Sequence, residues 1–236
     1  MELNPRKCHA ITVTRKRTRH HHQYTLNGIV LDTVTSAKYL GITIETNLKW
    51  NQHISNICHK ANNTLAFLRR NLRIHSTQLK TTAYQALVRP LVEHGCSVWD
   101  PYTAGCIQQL EMIQRRAARY VLNRYHNTSS VSEMLEQLGW PSLQKRREAS
   151  RGALTMLYKM HNSLVDINMD HHPIHPITRQ TRTVHPYGYL VPISRTEQHK
   201  QSFFPRTVRQ WNSLPQEVIL APSVEVFRHR LTEDVE

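Results

Sequence analysis

The chain has 236 residues, 39% of them hydrophobic, and only 7 scattered glycines, so no Gly-rich loop is available to cradle a nucleotide phosphate as a P-loop or dinucleotide-binding turn does. Its formal net charge is +14, which makes a polyanion the natural partner and nucleic acid the commonest candidate. There is no run of 18 apolar residues, which excludes a membrane-spanning helix, and Met1-Glu2-Leu3-Asn4-Pro5 lacks the apolar stretch of a signal peptide.

The charge is unevenly placed. Residues 1–50 carry 8 Lys/Arg against 3 Asp/Glu, residues 51–165 carry 15 against 6, and residues 166–236 carry 8 against 8. The whole excess therefore lies before residue 166. Cys8, Cys58, Cys96 and Cys106 lack the close pairing of a zinc site and read as reduced thiols of a nuclear or cytoplasmic protein.

In chain order, residues 9–45 read as β. Ala10-Ile11-Thr12-Val13 is a strand candidate, and Tyr24–Leu26 and Ile29–Leu31 flank Asn27-Gly28, a favoured hairpin turn. Tyr39–Ile44 alternates and reads as a further strand. Between them Arg15–His22 is a basic, exposed run, and His20-His21-His22 reads as part of that loop rather than as a metal site.

The period then becomes helical. Trp50, Ile54, Ile57, Ala61, Leu65, Leu68 and Leu72 form one apolar stripe, ending in Arg69, Arg70 and Arg73. A second helix should start after Ser76 or Thr77, carry Leu79, Ala83, Leu87 and Leu91 inward, and be interrupted by Pro90. A third, from Thr103 to Leu122, should bury Ile107, Leu110, Ile113, Ala117 and Val121 and gather Arg115, Arg116 and Arg119 on another face.

Ser130-Val131-Ser132-Glu133 is a capping box for a fourth helix, which buries Val131, Met134, Leu135 and Leu138 and stops at Gly139. A fifth should run from near Ser142 to about Leu164, with Lys145, Arg146, Arg147 and Arg151 crowding its first half. Residues 166–200 lose periodicity and read as a linker or extended segment. Order returns over 202–231: Pro205 suits the first turn of a helix, and Ser223 can cap a last one through Val226, Phe227 and Leu231.

Several segments together resemble the non-LTR retrotransposon reverse transcriptases, the jockey-like and chicken-repeat-like elements most of all. Asn4-Pro5-Arg6-Lys7-Cys8 resembles motif D, which follows the active site in that family. Ser36-Ala37-Lys38-Tyr39-Leu40-Gly41-Ile42-Thr43-Ile44 resembles motif E, the primer grip. Trp50 through Arg70 is similar to the start of the thumb. Ala86–Gly95, Ser97–Pro101, Leu110–Arg119, Leu138-Gly139-Trp140 and Ser202–Pro215 resemble further family segments, in order. The aromatic-Ala-Asp-Asp motif that family members carry upstream has no counterpart, because no Asp-Asp pair occurs in the sequence. The chain thus looks like the C-terminal part of such an enzyme, from a truncated copy or a gene opened at an internal methionine.

Nucleotide addition needs metal ions held by converging carboxylates. In residues 1–100 the only acidic side chains are Glu2, Asp32, Glu45, Glu93 and Asp100, which are too scattered for that. We therefore expect no catalysis by this chain, no cofactor and no metal site; the parent polymerase would need Mg2+. Asp166 and Asp170 beside His171, His172 and His175 fit a solvated linker better than a closed metal site.

The resemblance implies that Lys7 sits near the triphosphate in the intact enzyme; in this chain alone, an exposed lysine beside a strand is the simpler reading. It also places Lys38, Tyr39, Leu40 and Gly41 on a hairpin turn against the primer backbone, whereas as residues Tyr39 and Leu40 suit a buried strand equally. Arg69, Arg70, Arg73, Arg115, Arg116, Arg119, Lys145, Arg146, Arg147 and Arg151 offer cations for the phosphates of RNA, an RNA–DNA hybrid or DNA, read by backbone shape and not by base. Solvated helix faces are the plainer alternative. Trp99, Trp140, Trp211 and Phe203-Phe204 suit core positions better than stacking on bases.

The expected fold is α+β and mostly helical. A small antiparallel β-hairpin sheet (1–45) leads into a helical thumb-like bundle (46–124), a further helical region (125–165) and an extended C-terminal tail (166–236).

Overall fold

A computed structural model describes residues 3–14, 16–17, 22–126, 128–150, 152–167, 175–177 and 186–233. Arg151, Asp170, His171, His172 and most of the basic run before His22 lie outside the described residues.

The architecture is α+β and mostly helical. Six short strands come first: β1 (His9–Ala10), β2 (Thr25–Leu26), β3 (Ile29–Val30), β4 (Asp32–Thr33), β5 (Ser36–Tyr39) and β6 (Ile42–Glu45). They form three separate two-stranded ladders instead of one antiparallel sheet: β1 pairs with β4 in parallel, while β2–β3 and β5–β6 are antiparallel hairpins. Asn27 and Gly28 close the first hairpin at φ 51° and 76°, as its type of turn requires.

The stretch expected as one strand, Tyr39–Ile44, is itself the second hairpin. Tyr39 faces Ile42, and the chain reverses at Leu40 (φ 47°) and Gly41 (φ 89°). Glycine takes such a φ without strain, whereas leucine is held there against its preference.

The helices follow: α1 (Asn51–Asn71), α2 (Thr77–Ala83), a π-helical turn (Tyr84–Val88), α3 (Arg89–Glu93), α4 (Ala104–Leu122), α5 (Val131–Gln137), α6 (Leu143–Ser150), α7 (Gly152–His161), α8 (Glu197–Lys200), α9 (Phe203–Asn212), α10 (Gln216–Ile219) and α11 (Val224–Glu233). Ser76 and Ser130 cap α2 and α5 by accepting from the N–H groups of Leu79 and Glu133. Asn123 ends α4 in the left-handed conformation at φ 54°.

Pro90 is accommodated by the π turn. It has no N–H to give to the carbonyl of Ala86, and the Arg89 N–H donates five residues back to Tyr84. The buried face lies one position on from the expected set. Lys80, Tyr84, Val88 and Val92 point inward, while Leu79 and Leu87, expected inside, are 56% and 52% exposed. Successive four-residue steps in a regular α-helix overshoot one turn by roughly 40°, and the wider π turn takes up that drift, keeping these four residues in line.

Contacts divide the chain into two units, Met1–His94 with Thr103–Gly139, and Gly95–Tyr102 with Trp140–Glu236. In the first, α1 packs on α4. Ile54, Ala61, Leu65 and Leu68 meet Leu110, Ile113, Ala117 and Val121, all buried. Each of the leucine, isoleucine and valine side chains contributes about 1.5–3 kcal/mol on leaving water, and the alanines less. Of the four residues expected inside α5, Met134 alone is fully buried.

In the second unit, Leu154, Leu157 and Tyr158 of α7 pack with Val208 and Trp211 of α9 and Phe227 and Leu231 of α11. Helix is described on both sides of position 151 and ends at His161, leaving Leu164 exposed. Helices α9–α11 stand over 202–231, where order was expected to return, and α8 (Glu197–Lys200) lies in the segment read as extended. The extended part of that segment bridges Pro176 to Tyr189, and the Tyr189 backbone is gripped by the Asn212 amide, which accepts at 3.0 Å and donates at 2.7 Å. Trp99, Trp140 and Trp211 are buried, so none is available to stack on a base.

Candidate nucleic-acid interface

Two features of the first unit gather many of the cations expected to meet phosphates. One is the β5–β6 hairpin. Its tip is solvent-facing: Tyr39 is 67% and Leu40 76% exposed, which removes the buried-strand reading of these two residues. The tip is braced, because His94 Nε2 lies 3.2 Å from the Leu40 carbonyl oxygen. A Cβ on Gly41 would come within 3.2 Å of that same ring nitrogen, so the glycine permits both the turn and the brace.

Beneath the tip runs a groove of about 350 Å³ between the hairpin and the first half of α1. Lys38, His59 and Lys60 line it with Asn56, Ser55 and the Gly41 backbone. Two contacts fix its floor. The Thr43 N–H donates to His53 Nδ1 at 3.2 Å, and the Asn56 amide donates to Thr43 Oγ1 at 3.4 Å. Burial, helped by the neighbouring His94, lowers the His53 pKa to about 4, so its ring is a neutral acceptor at pH 7.

The other feature is the carboxyl end of the α1–α4 pair. These helices run side by side in the same direction: Cys106 reaches Asn51, Arg116 reaches Asn62 at 2.8 Å, and Tyr120 reaches Leu68 and Leu72. Their C-termini therefore lie together, with Arg69, Arg70 and Arg73 at one and Arg119 at the other, while Arg115 and Arg116 stand earlier on α4, where Arg116 reaches the middle of α1. Arg69 lies over the Tyr125 ring, 5.3 Å from its centre, seven residues along α1 from Asn62 and so on the same helix face. Arg73 folds back on the Arg70 carbonyl at 3.1 Å. Arg69, Arg70, Arg73, Arg115 and Arg116 are exposed, and Arg119 is half-buried.

A residue that sequence reasoning missed completes this end. Lys80 is buried, sends its ammonium toward the Tyr120 carbonyl at 3.5 Å and lies over the Tyr120 ring at 5.1 Å. Its long apolar stem reads as a surface lysine in sequence, and only its i+4 spacing to Tyr84 hints otherwise.

The remaining predicted cations stand elsewhere. Lys7 is exposed in a 3-10 turn (Pro5–Lys7) and does not line the groove. In the second unit Lys145 is exposed and Arg146 half-buried. Arg147 departs from the expected exposed stripe. Its side chain is 3% exposed and pairs with Asp100, Nε to Oδ1 at 3.4 Å, a partner 47 positions away that no local pattern reveals. Among the described residues no group of three His, Cys, Asp or Glu side chains converges on a metal position. No described helix is long and apolar enough to cross a membrane.

Known proteins share parts of this sequence. The chain is 26% identical over 99 residues to a Drosophila melanogaster protein described as a probable RNA-directed DNA polymerase from transposon BS; the match covers 41% of this chain and 11% of that protein. A second Drosophila protein, a probable RNA-directed DNA polymerase from transposon X-element, is 24% identical over 122 residues, covering 50% of this chain and 13% of its own length. An uncharacterized Caenorhabditis elegans protein is 29% identical over 126 residues, 53% of this chain and 61% of the relative. The chain thus spans about a tenth of the fly polymerases and under two thirds of the worm protein. No protein-family model and no solved structure matches it. The fly matches give the chain a reverse-transcriptase-related origin.

Proposed function

We propose that this chain is a C-terminal reverse transcriptase fragment of a non-LTR retrotransposon, comprising the primer grip, the thumb and the region C-terminal to them, and that it holds the backbone of RNA or an RNA–DNA hybrid without catalysis of its own. The observation that carries this reading is the β5–β6 hairpin. A solvent-facing Tyr39-Leu40 tip, braced from behind by His94, overlies a groove with Lys38 and Lys60 on its walls. Such a tip offers an apolar and aromatic contact to a sugar face, and the groove offers cations to the phosphates on either side. The arginines at the joint end of α1 and α4 add sequence-independent contacts. No Asp-Asp pair occurs in this sequence, and a two-metal polymerase site is built on converging carboxylates.

A second reading is that this sequence is one piece of an active RNA-directed DNA polymerase. It is favoured by the fly relatives, which bear that description and of which the chain covers only a tenth or so. An in-frame Asp-Asp motif in the genomic sequence just upstream of Met1 would establish it. A third, a basic interaction protein, differs in its response to salt.

The deciding experiment is fluorescence-anisotropy binding of the full chain to an RNA–DNA hybrid, single-stranded RNA and duplex DNA at two salt concentrations. Binding should weaken steeply with salt. It should fall in Lys38→Ala/Lys60→Ala and in Arg115→Ala/Arg116→Ala. A folded sample that binds none of the three at low salt would refute the reading.

A further inference from the structure

We propose that Tyr125, with the Arg69 guanidinium over its ring, is a stacking platform for an unpaired nucleotide, so that this end of the α1–α4 pair takes a single strand where it leaves a duplex. The inference rests on the nucleic-acid reading of the first unit and adds the kind of strand bound and the place that binds it.

The chain builds the platform just past α4. Asn123 takes the left-handed conformation at φ 54°, and its N–H and that of Arg124 both donate to the Arg119 carbonyl oxygen. That reversal brings Tyr125 to the last turn of α1, where the Arg69 guanidinium stands 5.3 Å from the ring centre. Hydrogen bonding at the end of α1 is met by other groups. The Phe67 carbonyl accepts from the Asn71 amide and the Arg70 carbonyl from Arg73 Nε, while the Tyr120 hydroxyl is shared between the carbonyls of Leu68 and Leu72. The Arg69 guanidinium is therefore held by the Tyr125 ring and not by the helix end.

Exposure separates this tyrosine from its neighbour. Tyr120, with Lys80 over its ring, is buried in the core, whereas Tyr125 is 48% exposed. An aromatic ring held in place and still facing water offers a flat π surface, and bases stack on tyrosine rings and on guanidinium planes alike. Inside a duplex each base is covered by its neighbours in the stack, so such a surface suits a base that has left it. The surrounding charge fits the phosphates on either side of that base. Arg70 and Arg124 are exposed, and neither residues 46–92 nor residues 112–132, the segments that build this end, contain an Asp or Glu to offset them.

The test is fluorescence titration of the full chain with an RNA–DNA hybrid that carries, in a short single-stranded overhang, a fluorescent purine analogue whose emission falls on stacking. A blunt hybrid of the same duplex is titrated beside it. Wild type should bind the overhanging hybrid about ten-fold more tightly than the blunt one, as one base stacked on an aromatic ring allows, and should quench the analogue. Tyr125→Leu keeps apolar bulk without a ring; it should abolish the preference and the quenching and leave the blunt-hybrid affinity unchanged, which also shows that it folds. Tyr125→Phe keeps the ring and should retain both. Lys38→Ala/Lys60→Ala should weaken the two hybrids alike and leave their ratio as it was. Equal affinity of wild type for the two hybrids without quenching, or a preference that survives in Tyr125→Leu, overturns the platform while the hairpin groove stands. Quenching of the single strand with no binding of the blunt hybrid supports the platform and removes the groove. Binding of no strand by folded wild type overturns both.

Discussion

His94 Nε2 lies 3.2 Å from the Leu40 carbonyl oxygen, so the end of α3 holds the tip of a hairpin 54 positions earlier in the chain. The brace works because position 41 lacks a side chain. Gly41→Ala should destabilise the hairpin by about 1–2 kcal/mol, since alanine must adopt a left-handed φ and its methyl meets the His94 ring. Adding His94→Ala should relieve the clash and leave the φ penalty. Amide hydrogen exchange at Lys38 and Thr43 reads the outcome, and unchanged protection in Gly41→Ala would contradict the turn geometry.

His53 predicts an acid sensitivity. Its pKa is about 4 in the fold and near 6.5 when unfolded, so between these values the unfolded state binds the extra proton. Stability is therefore unaffected above pH 6.5 and falls as pH drops from about 6.5 to 4. The loss is on the order of 3 kcal/mol at most. Urea midpoints at pH 7.5 and pH 4.5 measure it, and His53→Gln should flatten the difference.

Lys80 should behave as a core residue. Lys80→Ala removes both the buried stem and the ammonium that meets the Tyr120 carbonyl and ring, at a cost of about 2–3 kcal/mol. Lys80→Met keeps the stem and should cost roughly half of that. Equal, negligible shifts in melting temperature for both variants would place Lys80 in solvent.

The thiols should separate into two kinetic classes. Cys58 and Cys106 are buried, and burial, with Cys106 nearby, pushes the Cys58 thiol up to about 11. Cys8 and Cys96 are partly accessible. At pH 8 a thiol reagent should modify Cys8 and Cys96 first and reach Cys58 only on unfolding. Mass mapping of the labelled peptides gives the order.

How much of this was legible in the sequence depended on how local the cause was. Asn27-Gly28, the serine caps before α2 and α5 and the α1 stripe each follow from a few neighbouring residues, and each stands where the pattern put it. The second helix did not: its inward face runs through Lys80, Tyr84, Val88 and Val92, one position on from the expected set, and the π turn at Tyr84–Val88 keeps those four in line. Leu40-Gly41 looked like mid-strand residues because leucine rarely turns a hairpin, and the His94 contact that steadies it comes from far along the chain. Arg147 read as one more surface cation for the same reason: Asp100 is distant in sequence. Of the predicted site residues, locality also decided the grouping. The arginines of α1 and α4 converge only because these two helices run in the same direction, which no single stripe reveals.

That shared direction has a consequence for how salt acts. Two helices that end together present two sets of outward-facing carbonyls and two partial negative charges at one place, and Arg69, Arg70, Arg119 and Lys80 stand there as internal counterions. Added electrolyte will screen that self-neutralisation as well as any contact to phosphate. A fall in affinity at high ionic strength should therefore be accompanied by fraying of the last turns of α1 and α4, so ligand titrations and melting curves belong at matched salt.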